Sequence, residues 1–182
     1  MNEKRPVWLL DVDGVINMIG SKQSRWPGPM RRADVCGYPI RWSPALVDAV
    51  NTVHRSGMCE VRWATTWIEG GAVDRLAETL GFDYFETAYT RFPHEVHDEA
   101  KMRAAVRVLA VGRRLVWTDD EVVPLTAADR VALLGPDDGR WLTIRPGQSR
   151  GLGPKDLAVV ASFLGDGSAC HALIDAANEW VA

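Results

Sequence analysis

Cysteine is scarce in this 182-residue chain: Cys36, Cys59 and Cys170 are its only three. An odd number without C-x-x-C spacing argues against a disulfide framework and against a thiolate zinc site, and it fits a reducing compartment. Long apolar runs are missing too. The charged start "MNEKRPVWLLDVDG" has only a short apolar run broken by aspartates, and nothing reaches the roughly 18 apolar residues of a membrane span. A soluble, cytoplasmic protein with no membrane partner is expected. The chain also lacks an acidic or basic tail, and its net charge of −3 gives no general attraction for nucleic acid or a membrane surface. Internal repeats and low-complexity segments are absent as well.

What is present is enough apolar material, 47% of residues, for one well-buried core in a chain too short for two ordinary domains. A single domain over 1–182 is expected. "PVWLL" running into "DVDGV" has the pattern of a central strand buried on both faces of a parallel sheet. Ser43-Pro44 then opens a helix whose Leu46, Val47, Val50 and Val53 recur at helical spacing until Gly57. "CEVRWAT", "RLVWTDD" and "RWLTIRP" read as three further strands. "GAVDRLAETLG", "DEAKMRAAVRVLAVG" and "GPKDLAVVASFLG" read as helices between or after them, with a last helix running to Trp180. This alternation predicts an α/β fold, a doubly wound Rossmann-like parallel sheet.

One stretch interrupts the alternation. Residues 17–42 hold Lys22, Arg25, Arg31, Arg32 and Arg41 against Asp34 alone, so the segment is basic within an acidic chain. "MRRADVCGYPIRW" inside it predicts a hairpin turning near Gly37, which would make the segment a small basic flap inserted after the first strand.

Open α/β sheets bind ligands outside the carboxyl ends of their strands. Here the first strand ends in Asp11-Val12-Asp13, the second in Thr65-Thr66 and the third in Asp119-Asp120. Four carboxylates on one rim repel one another unless a cation joins them, and a hard cation such as Mg2+ suits carboxylate and water oxygens.

These residues resemble the haloacid dehalogenase-like (HAD) phosphohydrolases. "WLLDVDGVIN" is similar to that family's opening motif, a hydrophobic strand followed by Asp-x-Asp-Gly. Thr65 in "VRWATT" matches the second motif, and Lys101, the only lysine between Lys22 and Lys155, matches the third. Asp119 and Asp120 in "LVWTDDE" match the acidic fourth. The four motifs come in order over roughly residues 7–145, which is more specific than any one of them. "RWATTW", "WTDDE" and "RPGQSRGLGPKDL" carry a narrower likeness to small capless HAD domains of bacteria and phages associated with RNA-repair proteins.

The resemblance implies a Mg2+-dependent phosphatase that hydrolyses a phosphate monoester through an aspartyl-phosphate. Asp11 would be the nucleophile, and Asp13 the acid that protonates the leaving group and then activates water. Thr65 and the Thr66 amide would hold phosphoryl oxygens, while Lys101 would stabilise charge at the nucleophile. Asp11, Asp119, Asp120 and the Asp13 carbonyl would bind the metal. The acidic motif is a tight pair rather than a spaced Gly-Asp-x-x-x-Asp, which leaves the division of metal roles between Asp119 and Asp120 open.

No large insertion separates Thr65 from Lys101, so an open site is expected, with a phosphorylated small molecule or a nucleic-acid end as substrate; together with the basic flap it favours a nucleotide or polynucleotide phosphate over a small sugar phosphate. Arg25, Arg31 and Arg32 are candidates for contact with that substrate, and Trp67 for shaping its pocket. A catalytically silent HAD-like protein that binds phosphate or a partner is the alternative. His94 and His97 lack companions for a metal site and read as surface-loop residues. Tryptophans on strands read as core, whereas Trp26 either closes the flap onto the body or stacks on a base.

Overall fold

The computed structural model describes residues 4–20 and 24–165. The helix expected near Trp180, Lys22 and Cys170 lie outside the described residues. The chain forms β1 (Val7–Leu10), β2 (Arg31–Val35), β3 (Tyr38–Trp42), α1 (Pro44–Arg55) and β4 (Glu60–Trp63). A 3-10 segment (Thr66–Gly71), α2 (Ala72–Leu80), β5 (Glu86–Thr87) and α3 (His97–Ala110) come next. β6 (Leu115–Thr118), α4 (Ala127–Leu134), β7 (Trp141–Ile144) and α5 (Pro154–Leu164) complete the described elements.

Five strands make one parallel sheet in the order β5-β4-β1-β6-β7. All four strands expected from hydrophobic runs are in it. The fifth, β5, is two exposed residues long and has no apolar run to announce it. α4 was likewise not expected, because Leu134 is the only residue it buries fully and its sequence lacks a strong apolar stripe.

Alternation along β1 divides the core. Trp8 and Leu10 face a cluster with α1, α2 and α5, whereas Val7 and Leu9 face one with α3 and α4. From β1 the chain steps outward through β4 to β5, then returns to β6 on the other side of β1. Right-handed crossovers in opposite directions place their helices on opposite faces, which is the distribution found. The topological switch point therefore lies between β1 and β6, and this is where ligands bind in doubly wound sheets. A buried bond from Trp8 Nε1 to Thr118 Oγ1 (3.0 Å) ties these two strands at that point.

β2 and β3 form a separate antiparallel hairpin. Its two-residue turn needs positive φ at both positions, supplied by Cys36 (55°) and Gly37 (85°). Asp34 Oδ1 accepts a bond from Gly37 N (2.9 Å) and fixes the turn. The two ends of the inserted segment are tied to each other by Met18 N donating to Arg41 O (2.9 Å) and Arg41 N donating to Asn17 Oδ1 (2.9 Å). Trp26 is buried, with Nε1 donating to Leu152 O (2.7 Å), so it packs the flap onto the body and its indole edge is used within the fold.

Candidate active site

Register brings the strand ends level. Leu10 of β1 lies opposite Trp63 of β4 and Thr118 of β6, so the next residue on each strand is Asp11, Ala64 and Asp119. Asp11 N donates to Thr118 O (3.1 Å) and Asp119 N to Ile144 O (3.2 Å), which carries the interstrand bonding one residue past each strand and fixes both acids at the switch point. Oxygens of Asp11, Asp119 and Asp120 all lie within 4.8 Å of one another, and all three residues are buried.

Lys101 enters from the second turn of α3. Its Nζ is 3.0 Å from Asp11 Oδ2 and 2.7 Å from Asp119 Oδ2. The other Asp119 oxygen accepts from Glu121 N (2.9 Å) and Val122 N (2.7 Å), so Asp119 is held as an oriented carboxylate. Burial, and then repulsion by Asp119, push Asp11 up to about 8 against the pull of Lys101. Burial raises Asp120 as well. Lys101 goes the other way: burial alone would lower it, but Asp11 and Asp119 together hold it well above its ordinary value.

Asp120 is positioned by a close approach. Gly14 has φ of 68°, and a Cβ there would sit 2.3 Å from Asp120 Cγ, so only glycine meets both the backbone and the space required. Asp13 stands apart from the buried trio and is half-buried. Its Oδ1 accepts from Asn17 Nδ2 (2.7 Å) and its Oδ2 from Trp67 Nε1 (2.8 Å). Trp67 in turn meets the flap, its ring edge-on to Tyr38 with centroids 5.5 Å apart.

Thr65 is fully buried and caps the 3-10 segment, with Oγ1 accepting from Trp67 N (3.4 Å). That bond uses an oxygen lone pair and leaves the hydroxyl proton to donate. Beneath it Tyr89 donates its hydroxyl to Thr65 O (3.1 Å) and also meets His97 Nδ1 (3.1 Å). Glu69 Oε1 accepts from Arg91 Nε (2.9 Å) and lies 3.1 Å from His97 Nε2.

Of the residues expected at the site, the structure thus joins Asp11, Lys101, Asp119 and Asp120 directly. It sets Asp13 and Trp67 beside them, and it places Thr65 and the exposed Thr66 at the neighbouring strand end. The arginines are elsewhere. Arg25 packs against Gly153, Arg31 is exposed opposite Trp42 in the hairpin, and Arg32 lines a separate concavity of about 610 Å3 between the hairpin and residues 17–20. Asn17, Tyr38, Glu69, Tyr89 and His97 were not expected. His97 is no loop residue: it begins α3 and sits four residues before Lys101, a spacing that puts both on one helical face.

The carboxylate trio fits a hard divalent cation. Its donors are all oxygens, and with all three acids ionised the one buried ammonium would leave two negative charges for a cation to balance. Comparison with family models, curated proteins and solved structures gives no match to this chain.

Proposed function

We propose that this protein is a Mg2+-dependent phosphatase of the HAD type, hydrolysing a phosphate monoester through an aspartyl-phosphate on Asp11. The observation that carries the proposal is the single lysine reaching both Asp11 and Asp119 where three buried acids converge at the switch point. A structural ion pair would need one acid for one lysine; a surplus of buried acid must either hold protons, as the raised Asp11 does, or be joined by a cation, and such perturbed groups are characteristic of functional sites.

In the first step an Asp11 oxygen attacks phosphorus in line, the bond from phosphorus to the leaving oxygen breaks, and Asp13 gives that oxygen a proton. In the second step Asp13 takes a proton from water, the resulting hydroxide oxygen bonds to phosphorus, and the bond to Asp11 breaks to release phosphate. Asn17 and Trp67 hold the Asp13 carboxyl through one bond to each oxygen, which keeps it aimed through both proton transfers. The Thr65 hydroxyl and Lys101 offer donors to phosphoryl oxygens. Asp11, Asp119 and Asp120 would hold Mg2+, which when bound neutralises charge on the attacking carboxylate and the phosphoryl group.

The test is turnover of an activated aryl phosphate with and without Mg2+ by wild type and Asp11→Asn. Metal-dependent turnover that falls at least about 1,000-fold in the variant is expected, as for loss of a covalent nucleophile. Near wild-type turnover by the variant would refute the assignment. Mg2+ binding without hydrolysis of any phosphate ester would favour the silent binding protein.

A further inference from the structure

A cavity of about 340 Å3 opens at Asp13, which lines it together with Tyr38, Thr66, Trp67, Glu69, Ala72 and His97. Because Asp13 is the residue that protonates the departing oxygen, whatever occupies this cavity is the leaving group; this step rests on the phosphatase reading above. We propose that the leaving group is a nucleoside, and that the substrate is a nucleoside monophosphate rather than the end of a polynucleotide.

Three properties of the cavity lead there. Its volume is at the small end of the roughly 300–1,000 Å3 of ligand pockets, room for one ring with its sugar and not for a run of nucleotides. Its wall toward the flap is aromatic: Trp67 is buried with its indole N–H turned to Asp13, while Tyr38 is 63% exposed at the hairpin turn and open to a flat partner. Its lining also offers hydrogen bonds. Glu69 takes Arg91 and His97 on Oε1, and its Oε2 has no partner among the described residues, so it is an acceptor for hydroxyl or amino groups.

Charge decides against the longer substrate. A polynucleotide brings a further phosphate with each residue, and proteins meet these with lysine or arginine. No lysine or arginine lines this cavity, whose lining includes two acids, Asp13 and Glu69, beside His97. Arg32 and Arg41 line the other concavity, which shares no lining residue with this one.

The experiment uses the full chain with Mg2+ and compares kcat/KM for adenosine monophosphate, glycerol phosphate and a phosphorylated oligonucleotide, in wild type and Tyr38→Ala. Tyr38 is exposed enough for the variant to fold. Wild type is expected to prefer the mononucleotide over both others. In Tyr38→Ala the preference for adenosine monophosphate over glycerol phosphate should fall about tenfold, the order of losing one stacking partner, and mostly through KM. Equal or faster turnover of the oligonucleotide, or an unchanged preference in the variant, would overturn the proposal. If aryl phosphate is not hydrolysed at all, the phosphatase reading fails. The cavity is then tested by titrating adenosine monophosphate into the Mg2+-loaded protein: binding weakened about tenfold by Tyr38→Ala keeps the nucleoside site, and no binding removes it.

Discussion

Stripping divalent metal from the protein should make its stability fall as pH rises, and returning Mg2+ should abolish the fall. Burial and Asp119 raise Asp11 from the ordinary 3.8 to about 8. Between those two values the folded state retains a proton that the unfolded chain has released, so stability declines with rising pH and levels off above about 8. Asp120, also raised by burial, acts in the same direction. Lys101 is protonated in both states throughout the window, so its ion pairs do not cancel the trend. At about 1.4 kcal/mol per tenfold change in proton affinity, the Asp11 contribution has a ceiling of about 6 kcal/mol. Local relaxation and water entry at an opened site reduce this to about 2 kcal/mol, or roughly 4–8 °C in Tm for a chain of this size. Thermal unfolding in chelator should show a decline of that order between about pH 5 and about pH 8. Asp11→Asn should flatten it, and excess Mg2+ should raise Tm most at the upper end. A Tm in chelator that is flat or rises across this window, or a Mg2+ effect that is independent of pH, would refute the electrostatic account of the trio.

Three substitutions probe the parts separately. Gly14→Ala drives a Cβ into Asp120 and strains a positive φ, so it should cost about 1–3 kcal/mol in urea unfolding and weaken Mg2+ binding measured by calorimetry. Lys101→Met leaves Asp11 and Asp119 facing each other without their shared cation; loss of about 3–5 kcal/mol in metal-free protein is expected, with partial recovery in Mg2+. Trp67→Phe keeps an aromatic ring, though a smaller one, and removes the donor to Asp13 Oδ2, so kcat should fall about tenfold with KM little changed, as checked by steady-state kinetics.

The strands that carry the carboxylates were legible because they are buried on both faces: β1 and β6 read as continuous apolar runs ending in aspartate. β5 was not, since two exposed edge residues leave no pattern. Strand ends and topology put four carboxylates on one rim, of which Asp11, Asp119 and Asp120 converge, whereas Asp13 lies outside the cluster. That Gly14 would admit Asp120 against its backbone needed coordinates, because sequence separates the two by a full turn of the fold. The basic flap was read from its charge and its turn from Gly37, yet charge did not say which way the arginines face. Trp26 shows the same limit from the other side: a tryptophan in a polar stretch turned out to be anchored to the Leu152 carbonyl. His97 was discounted for lack of metal-binding companions, although its four-residue offset from Lys101 on one helix was a signal available in the sequence.

The most direct measurement of the central claim is acid quench of Asp13→Asn during turnover of an aryl phosphate with Mg2+, followed by mass analysis of the peptide that carries Asp11. With the second step slowed, one phosphoryl group labile to hydroxylamine should be found on Asp11 and be absent when Asp11 is also replaced by asparagine. Turnover without phosphate on Asp11, or phosphate carried by another residue, would contradict it.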